Sequence, residues 1–193
     1  MWSATVDGSD VTRHLRHASD PDWHPTEDLI LCDAWVDETH AIVTISRWSS
    51  VPEIVKLSDP AAQVFCGTAE YSPDGQYIVY ERSDWSGPYT SEIWVMNSDG
   101  TSSAQLVDGR CSNPTWSPDG TKVAYSRSDH SSSALEDNVL WVVDVVTREQ
   151  TQLTSVLTEE AAARLTSVCS RRAWLSRRLH RGLWPATHPP RQP

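Results

Sequence analysis

The sequence lacks the long apolar runs and targeting signals of membrane and exported proteins. It contains no stretch of about 18 apolar residues, and a transmembrane helix needs about 20, so no membrane span is expected. The first eight residues hold neither a basic region nor an apolar core, so no signal peptide is expected. A hydrophobic content of 38% that includes ten tryptophans is typical of many short strands rather than long helices.

Catalytic and cofactor-binding motifs are also missing. There is no Gly-x-Ser-x-Gly elbow, no His-Glu-x-x-His zinc motif, no glycine-rich phosphate loop and no complete EF-hand loop. The segment 97–101 has the start of a calcium loop without its later ligands, so we interpret it as a hairpin turn. His14 and His17 lie beside a predicted strand, which does not favour a metal role. We therefore expect no cofactor, no metal and no catalytic residue, which favours a non-enzymatic protein without deciding the question.

Acidic residues are absent from the end of the chain. Residues 1–160 carry all 26 acidic residues and nine basic ones, a net charge of −17, whereas residues 161–193 carry seven arginines and no acid. A nucleic-acid-binding surface needs a positive footprint, so no nucleic-acid partner is expected for the acidic body. That body suits a soluble protein or one with a basic partner.

What the sequence does contain is a recurring unit. Its clearest copy is Thr115–Arg127, an earlier copy is Glu70–Arg82, and a weaker one is Asp22–Cys32. The prolines of the three copies, at positions 25, 73 and 118, are separated by 48 and 45 residues. A period in this range is typical of β-propeller blades.

Each copy combines a tight turn with a strand. In the Ser-Pro-Asp-Gly turn, proline presets φ, aspartate can bond its own backbone two residues on, and glycine takes a positive φ. A β-branched and aromatic run follows, then a second apolar run and, after a polar turn, a short outer strand. Four short strands in each unit match a propeller blade. The residues expected to build the repeat are Trp23, Pro25, Tyr71, Pro73, Asp74, Gly75, Trp94, Trp116, Pro118, Asp119, Gly120 and Trp141.

A series of tryptophans supports the same register. Trp2, Trp48, Trp94 and Trp141 are spaced 46, 46 and 47 residues apart, although the polar neighbours of Trp48 leave its match open to chance. One interpretation is a stacking platform for a sugar or a base. The favoured interpretation is packing between neighbouring blades, because aromatic side chains carry much of any core.

These repeats resemble the TolB-type propeller repeat, whose hallmark is an aromatic-Ser-Pro-Asp-Gly turn followed by a Lys-apolar-Ala-aromatic strand. The segment Trp116–Tyr125 is close to that pattern, and the resemblance covers about residues 2–154. It implies a WD40-like propeller fold but says little about function. Relatives of the repeat occur in the periplasmic TolB protein, in amino-terminal propellers of prolyl-oligopeptidase-like serine peptidases and in some polysaccharide lyases. As written the chain would be cytoplasmic, whereas an intact relative could be periplasmic or secreted.

The first copy departs from the family pattern. Thr26-Glu27 replaces Asp-Gly, and His24 stands where the other copies have Ser72 and Ser117. This turn must therefore be built differently, with His24 as a turn residue.

The predicted fold class is all-β, a partial propeller of about three and a half four-stranded antiparallel blades. Residues 2–15 would supply the last two strands of a blade, and whole blades would span about 20–58, 68–107 and 112–154. The propeller arc would occupy residues 1–157. Such an arc cannot close a ring of about 4–8 blades. It would leave strand edges open to self-association.

The pattern stops in the segment 158–193, a basic tail. Thr158–Leu165 starts like a helix, with a threonine cap and acids in the first turn, and the proline-rich end cannot hold regular structure. One interpretation is a basic amphipathic helix for an acidic membrane or partner. The other is that the tail is not native propeller sequence, for example a shifted reading frame after about residue 157.

Four cysteines, at positions 32, 66, 111 and 169, show no Cys-x-x-Cys or zinc-like spacing. Cys66 and Cys111 each precede a repeat proline by seven residues, so they occupy equivalent sites in adjacent blades. Such sites seldom come within the ~4.4–6.8 Å that a disulfide needs, and free buried thiols are expected. Two longer loops, Asp84–Ser91 and Ser128–Ser133, are either ligand-contacting loops or, as favoured, solvated connectors.

The favoured function is a non-catalytic binding or scaffold module for a protein or peptide partner, with the chain expected to be a fragment of a larger TolB-like propeller. The alternative is the substrate-gating propeller of a prolyl-oligopeptidase-like serine hydrolase that lacks its catalytic domain here. A lyase-type propeller enzyme is a third hypothesis, which would need clustered histidine and acidic ligands in the channel.

Overall fold

The computed structural model describes residues 2–4, 11–13, 15, 17–46, 53–61, 63–86, 90–128 and 138–154. Contacts divide the chain into two units, 1–155 and 156–193, and every described residue lies in the first. Within the described ranges the regular structure is entirely β-strand, and no helix long and apolar enough to cross a membrane is found there. The helix predicted at Thr158–Leu165, the rest of the tail and Cys169 lie outside the described residues.

The described residues form fourteen strands. In chain order they are β1 (Trp2–Ala4), β2 (Val11–Arg13), β3 (Ala18–Trp23), β4 (Leu29–Val36), β5 (Thr39–Ser46), β6 (Ile54–Lys56), β7 (Val64–Tyr71), β8 (Tyr77–Asp84), β9 (Thr90–Asn97), β10 (Ala104–Val107), β11 (Cys111–Trp116), β12 (Lys122–Ser128), β13 (Asn138–Asp144) and β14 (Gln150–Gln152).

Twelve of these strands build three four-stranded antiparallel blades. Blade one is β3–β6, blade two is β7–β10 and blade three is β11–β14. A single parallel bridge from His40 to Phe65 links the ladders of blades one and two. The antiparallel pair β1–β2 precedes blade one, as expected for the last two strands of a blade. The predicted fold class, an all-β partial propeller of about three and a half blades, is confirmed.

Apolar side chains fill the junctions between blades. At the first junction, between blades one and two, Leu31 and Ile42 cluster with Ile78 and Met96. At the second junction, between blades two and three, Val79 and Ile93 cluster with a set from blade three that includes Trp116. Full burial of one such side chain stabilises the fold by roughly 1.5–3 kcal/mol. The facing surfaces of neighbouring blades therefore hold the arc together.

Two smaller expectations are answered by the buried side chains of the blades. Cys32, Cys66 and Cys111 are buried free thiols, as predicted, and burial raises the pKa of Cys66 to about 11. Trp94 and Trp141 pack, partly buried, against the cores of the first and second junctions, which is the packing position favoured for the tryptophan series. Trp48 and the side chain of Trp2 lie outside the described residues.

The Pro-Asp-Gly turns close by a shared set of hydrogen bonds. In blade two the Gly75 amide donates to the Ser72 carbonyl at 2.8 Å, with Gly75 at φ 74°. The Ser72 hydroxyl donates to Asp74 Oδ1 at 2.6 Å and accepts from the Tyr77 amide at 2.9 Å. Blade three repeats these contacts around Ser117. The serine therefore ties the turn to the strand that follows it.

His24 replaces that serine in blade one. Its ring Nδ1 accepts hydrogen bonds from the amides of Thr26, at 3.3 Å, and Glu27, at 2.9 Å. The ring also packs edge-on against Tyr71, with 4.7 Å between centroids. A Cβ on Gly75 would lie 2.6 Å from this ring, so Gly75 is required both for its positive φ and for the close approach of His24. The turn is built differently, as expected.

The first strand of each blade contains a β-bulge that was not predicted from the sequence. The pairing register shifts after Ser19, Gly67 and Ser112. At the next position Asp20, Thr68 and Asn113 take left-handed φ values of 47°, 48° and 53°. Non-glycine residues rarely adopt this conformation. The repetition at one site in three blades shows that the bulge belongs to the repeat.

The bulge sets up a contact from each blade to the next. Two residues after it, the Asp22 carboxylate accepts the Tyr71 amide of blade two at 2.9 Å. The Glu70 carboxylate accepts the Trp116 amide of blade three at 3.3 Å, and the Trp116 indole donates to the Glu70 carbonyl at 3.2 Å. An acid beside one aromatic residue thus binds the backbone of the equivalent aromatic in the following blade.

Candidate binding grooves

Two sets of turns meet at the same end of blades two and three. The turn between the first and second strands hydrogen-bonds to the turn between the third and fourth. In blade two the Ser98 amide donates to the Gln76 carbonyl at 2.9 Å, and in blade three the Val145 amide donates to the Thr121 carbonyl at 3.1 Å. We call this end of the arc the turn face. Two grooves open on the turn face, and each lies at a junction between two blades.

The larger groove, of about 720 Å³, opens between blades two and three. Its apolar lining includes Met96, which is 1% exposed, and Trp116, which is 4% exposed. Ala104 and the 84% exposed Val146 line it nearer the surface. An apolar lining with a few placed polar groups is the usual composition of a binding cleft.

Two carboxylates flank the larger groove, one from each Pro-Asp-Gly turn. Hydrogen bonds from the Ser117 hydroxyl, and then from Thr121, lower the pKa of Asp119 to about 2. The Ser72 hydroxyl likewise lowers the pKa of Asp74. Both side chains are therefore negatively charged at neutral pH. The groove presents anionic groups beside apolar walls.

Arg148 is the cationic residue of the same lining. Its Nη1 donates to the Gln105 carbonyl at 3.2 Å, which links blade three to the outer strand of blade two. The guanidinium therefore already serves a contact between blades.

The smaller groove, of about 500 Å³, opens between blades one and two. Its lining is more polar and includes His24, Thr26 and Ser98, together with the exposed acids Glu27 and Asp99. The Thr101 hydroxyl lowers the pKa of Asp99. Asp74 lines both grooves, so the turn of blade two forms the ridge between them.

A cluster of serine, aspartate and histidine lies at the opposite end of blade one. The Ser19 hydroxyl donates to Asp33 Oδ2 at 2.7 Å, and His40 Nε2 lies 3.3 Å from the same oxygen. In a hydrolase triad the serine bonds to the histidine, whereas here it bonds to the aspartate. His40 Nδ1 lies 3.3 Å from the Cys66 carbonyl, and its ring stacks on Phe65 at 4.2 Å. The cluster connects blades one and two and lacks the triad arrangement.

Glu81 occupies the matching site in blade two. It is 8% exposed and accepts the Ser83 hydroxyl at 2.8 Å. Burial raises the pKa of Glu81, against the opposing effect of hydrogen bonds from Ser83 and the Asn113 main chain. Among the described residues, no three His, Cys, Asp or Glu side chains meet as a metal site would require.

The structure distributes the predicted repeat residues between the core and the turn face. Five of them line the larger groove: Pro73, Asp74, Trp116, Asp119 and Gly120. Trp23 is 48% exposed at the end of β3, and Pro25 follows it in the first turn. Trp94 and Trp141 remain in the junctions. The sequence pattern led us to interpret all of them as structural and did not predict the groove. The pattern that could have indicated it is an aspartate at the same turn position in successive blades, Asp74 and Asp119.

The described residues of the first loop predicted as a connector, Asp84–Ser91, lie at the other end of blade two. Trp85 there is 62% exposed. The Ser86 amide and hydroxyl donate to Asp84 Oδ1 at 2.8 and 2.6 Å. Residues 87–89 and 129–137 lie outside the described residues.

No family model and no curated protein matches the sequence, but solved structures do. A TolB-like protein from Agrobacterium tumefaciens is 21% identical with a TM-score of 0.60, over 74% of this chain and 50% of that chain. TolB from Acinetobacter baumannii is 12% identical with a TM-score of 0.63, over 80% and 38%. Oligogalacturonate lyase from Vibrio parahaemolyticus is 13% identical with a TM-score of 0.60, over 80% and 42%. The chain spans half or less of the length of these structures, and the likeness is one of fold.

Proposed function

Because the chain has the TolB-type propeller fold and forms only part of such a propeller, we propose that it is a non-catalytic binding module for a protein or peptide partner. The proposed site is the turn face. Propeller repeats present their turns as a rigid array, and binding residues are often carried by loops that a rigid scaffold positions.

The observation that carries this proposal is the larger groove. It combines an apolar lining that includes Met96 and Trp116 with charged side chains from two blades. Its walls include Met96 from the core of the first junction and Trp116 from that of the second, so the cleft is formed in advance of any ligand. A preformed apolar cleft limits the ordering cost of association, which favours binding of an extended peptide segment.

The cluster at the opposite end supports a non-catalytic role. Ser19 and His40 both contact Asp33, and the stack of His40 on Phe65 holds the ring between blades. The serine hydroxyl therefore bonds to a carboxylate and not to the imidazole, unlike the serine of a hydrolase triad. Its contacts serve the junction.

The proposal is tested by selecting a random-peptide phage library on the full chain. Ala104→Trp fills the groove from an exposed strand position, and Val146→Lys changes its exposed wall without touching the core. Ala61→Trp is the matched control, because Ala61 is exposed and lines neither groove. We expect clones whose binding weakens roughly tenfold or more in both groove variants and is kept by the control.

Circular dichroism and thermal melts must show that the variants fold. Recovery of no binding clones, or of clones that none of the groove changes affects, contradicts the proposed function. Since Val146 is 84% exposed, its variant keeps the test valid if Ala104→Trp is unstable.

A further inference from the structure

We propose that the turn face selects a basic and apolar peptide segment, one that places a bulky apolar side chain in the larger groove and a lysine or arginine beside the Asp74 turn. This inference rests on the proposed function and specifies its ligand. It is drawn from the arrangement of the two grooves and from the charges that surround them.

The two grooves are neighbours separated by one turn. The turn Ser72–Gln76 supplies lining residues to both, and Asp74 faces both. An extended segment that enters the larger groove must cross this ridge to reach the smaller one. Its middle residue then passes directly over the Asp74 carboxylate.

The polarity of the grooves sets the order of side chains along the segment. The larger groove is lined mainly by apolar groups such as Val95, Met96 and Trp116. The smaller groove mixes apolar groups such as Val55 with polar ones such as Thr26 and Ser98. An apolar side chain gains most from removal from water in the larger groove. The part of the segment over the smaller groove is expected to be polar.

The charges around the two grooves favour a cationic ligand. Glu27, Asp74, Asp99 and Asp119 lie along the linings, against Arg148, whose Nη1 already contacts the Gln105 carbonyl. Such complementarity raises the association rate and rejects acidic competitors more than it adds affinity. A segment with lysine or arginine next to its apolar anchor matches this pattern.

The two acids beside the larger groove can serve the turn and a ligand together. In Asp74 the donors within the turn, the Ser72 hydroxyl and the Gln76 amide, reach Oδ1. In Asp119 the Ser117 hydroxyl and both donors of Thr121 also reach Oδ1. The second oxygen of each carboxylate is thus the one placed to accept a bond from a cationic side chain.

The test uses the phage clones that depend on the larger groove. We expect those clones to carry lysine or arginine adjacent to a leucine, methionine or aromatic residue. Synthetic peptides of the clones are then titrated against the full chain and its variants by fluorescence anisotropy. Asp74→Asn and Asp119→Asn keep an acceptor for the turn and remove the charge, so each is expected to weaken binding roughly two- to fivefold.

Asp84→Asn is the matched control, because Asp84 accepts the same kind of turn bonds at the opposite end of β8 and lines neither groove. The loss in the two groove variants should shrink as salt is raised, since exposed charges are screened. Groove-dependent clones that are neutral or acidic overturn this inference and leave the proposed function standing. Equal losses for Asp74→Asn and Asp84→Asn also overturn it. Absence of groove-dependent clones overturns both.

Discussion

The first and second junctions join blades of the same design with different chemistry. At the first, the ring of His24 fills the space above Gly75, and His40 links Asp33 to the Cys66 carbonyl. At the second, a Cβ on Gly120 would meet only Pro73 Cδ, at an ordinary contact distance of 3.7 Å. The bond from an inner-strand carboxylate to the next blade's amide is present in both. The bond from carboxylate to amide is therefore shared by both junctions, whereas the side chains packed around the turns differ between them.

The largest difference between the junctions is expected for the two turn glycines. Gly75→Val must bear a left-handed φ and also displace the His24 ring, whereas Gly120→Val bears mainly the φ strain. We expect losses in the free energy of unfolding of roughly 3 kcal/mol or more for Gly75→Val and about 2 kcal/mol for Gly120→Val. Urea melts of the full chain measure both. Equal losses would show that His24 yields freely and that the first junction is not the tighter one.

A smaller difference is expected for the carboxylates that bind the next blade. Asp22→Ala removes the acceptor of the Tyr71 amide at 2.9 Å, and Glu70→Ala removes that of the Trp116 amide at 3.3 Å. The Trp116 indole keeps its bond to the Glu70 carbonyl after the second change. We expect losses of about 1.5 kcal/mol for Asp22→Ala and about 1 kcal/mol or less for Glu70→Ala. Thermal melts rank them, and the reverse order would mean that bond length does not decide their strength.

The smallest effect is expected for the buried carboxylate of the second junction. The pKa of Glu81 is raised in the folded state, so its contribution to stability is complete below its unfolded value of 4.5 and is lost as pH rises through the folded pKa. Glu81→Gln should therefore gain stability relative to the parent at pH 7 and not at pH 4. Because the hydrogen bonds from Ser83 and the Asn113 main chain oppose the effect of burial, the gain is expected to be only about 0.5 kcal/mol. Melts at the two pH values measure it; a pH-independent difference would assign the effect to packing.

The repeats made much of this fold predictable. Proline, aspartate and glycine in the turns act through the backbone conformations that they favour, so Asp74 and Gly75 could be placed from their order alone. The bulges could not, because Thr68 and Asn113 hold left-handed φ values without a glycine to mark them. The hydrogen bond from the Tyr71 amide to the Asp22 carboxylate could not be predicted either, since the two residues are 49 positions apart.

The grooves were predictable only in part. The sequence identified Asp74 and Asp119 as turn residues, and their Oδ1 atoms do bond within the turns. The binding role that we propose for them depends on how far neighbouring turns stand apart, which is set by the side chains packed beneath them. Met96 and Trp116 reach the same groove from different blades, and no local pattern connects them.

The contact from each carboxylate to the next blade's amide gives the arc a direction. Blades one and two each offer a carboxylate acceptor to the blade that follows, and blades two and three each offer a backbone donor to the blade before. The unit that can be copied therefore runs from one bulge to the next: Asp20 to Thr68, or Thr68 to Asn113. A gene duplication that begins and ends at the bulges would copy both the carboxylate and the aromatic residue whose amide takes part in the contact between blades. A duplication with its boundary inside the turn would separate the serine from the aspartate to which it donates. Thr115 stands at the acidic position in blade three, so a duplicated blade three would pass on a hydroxyl in place of the charge, and the carboxylate series would end with it.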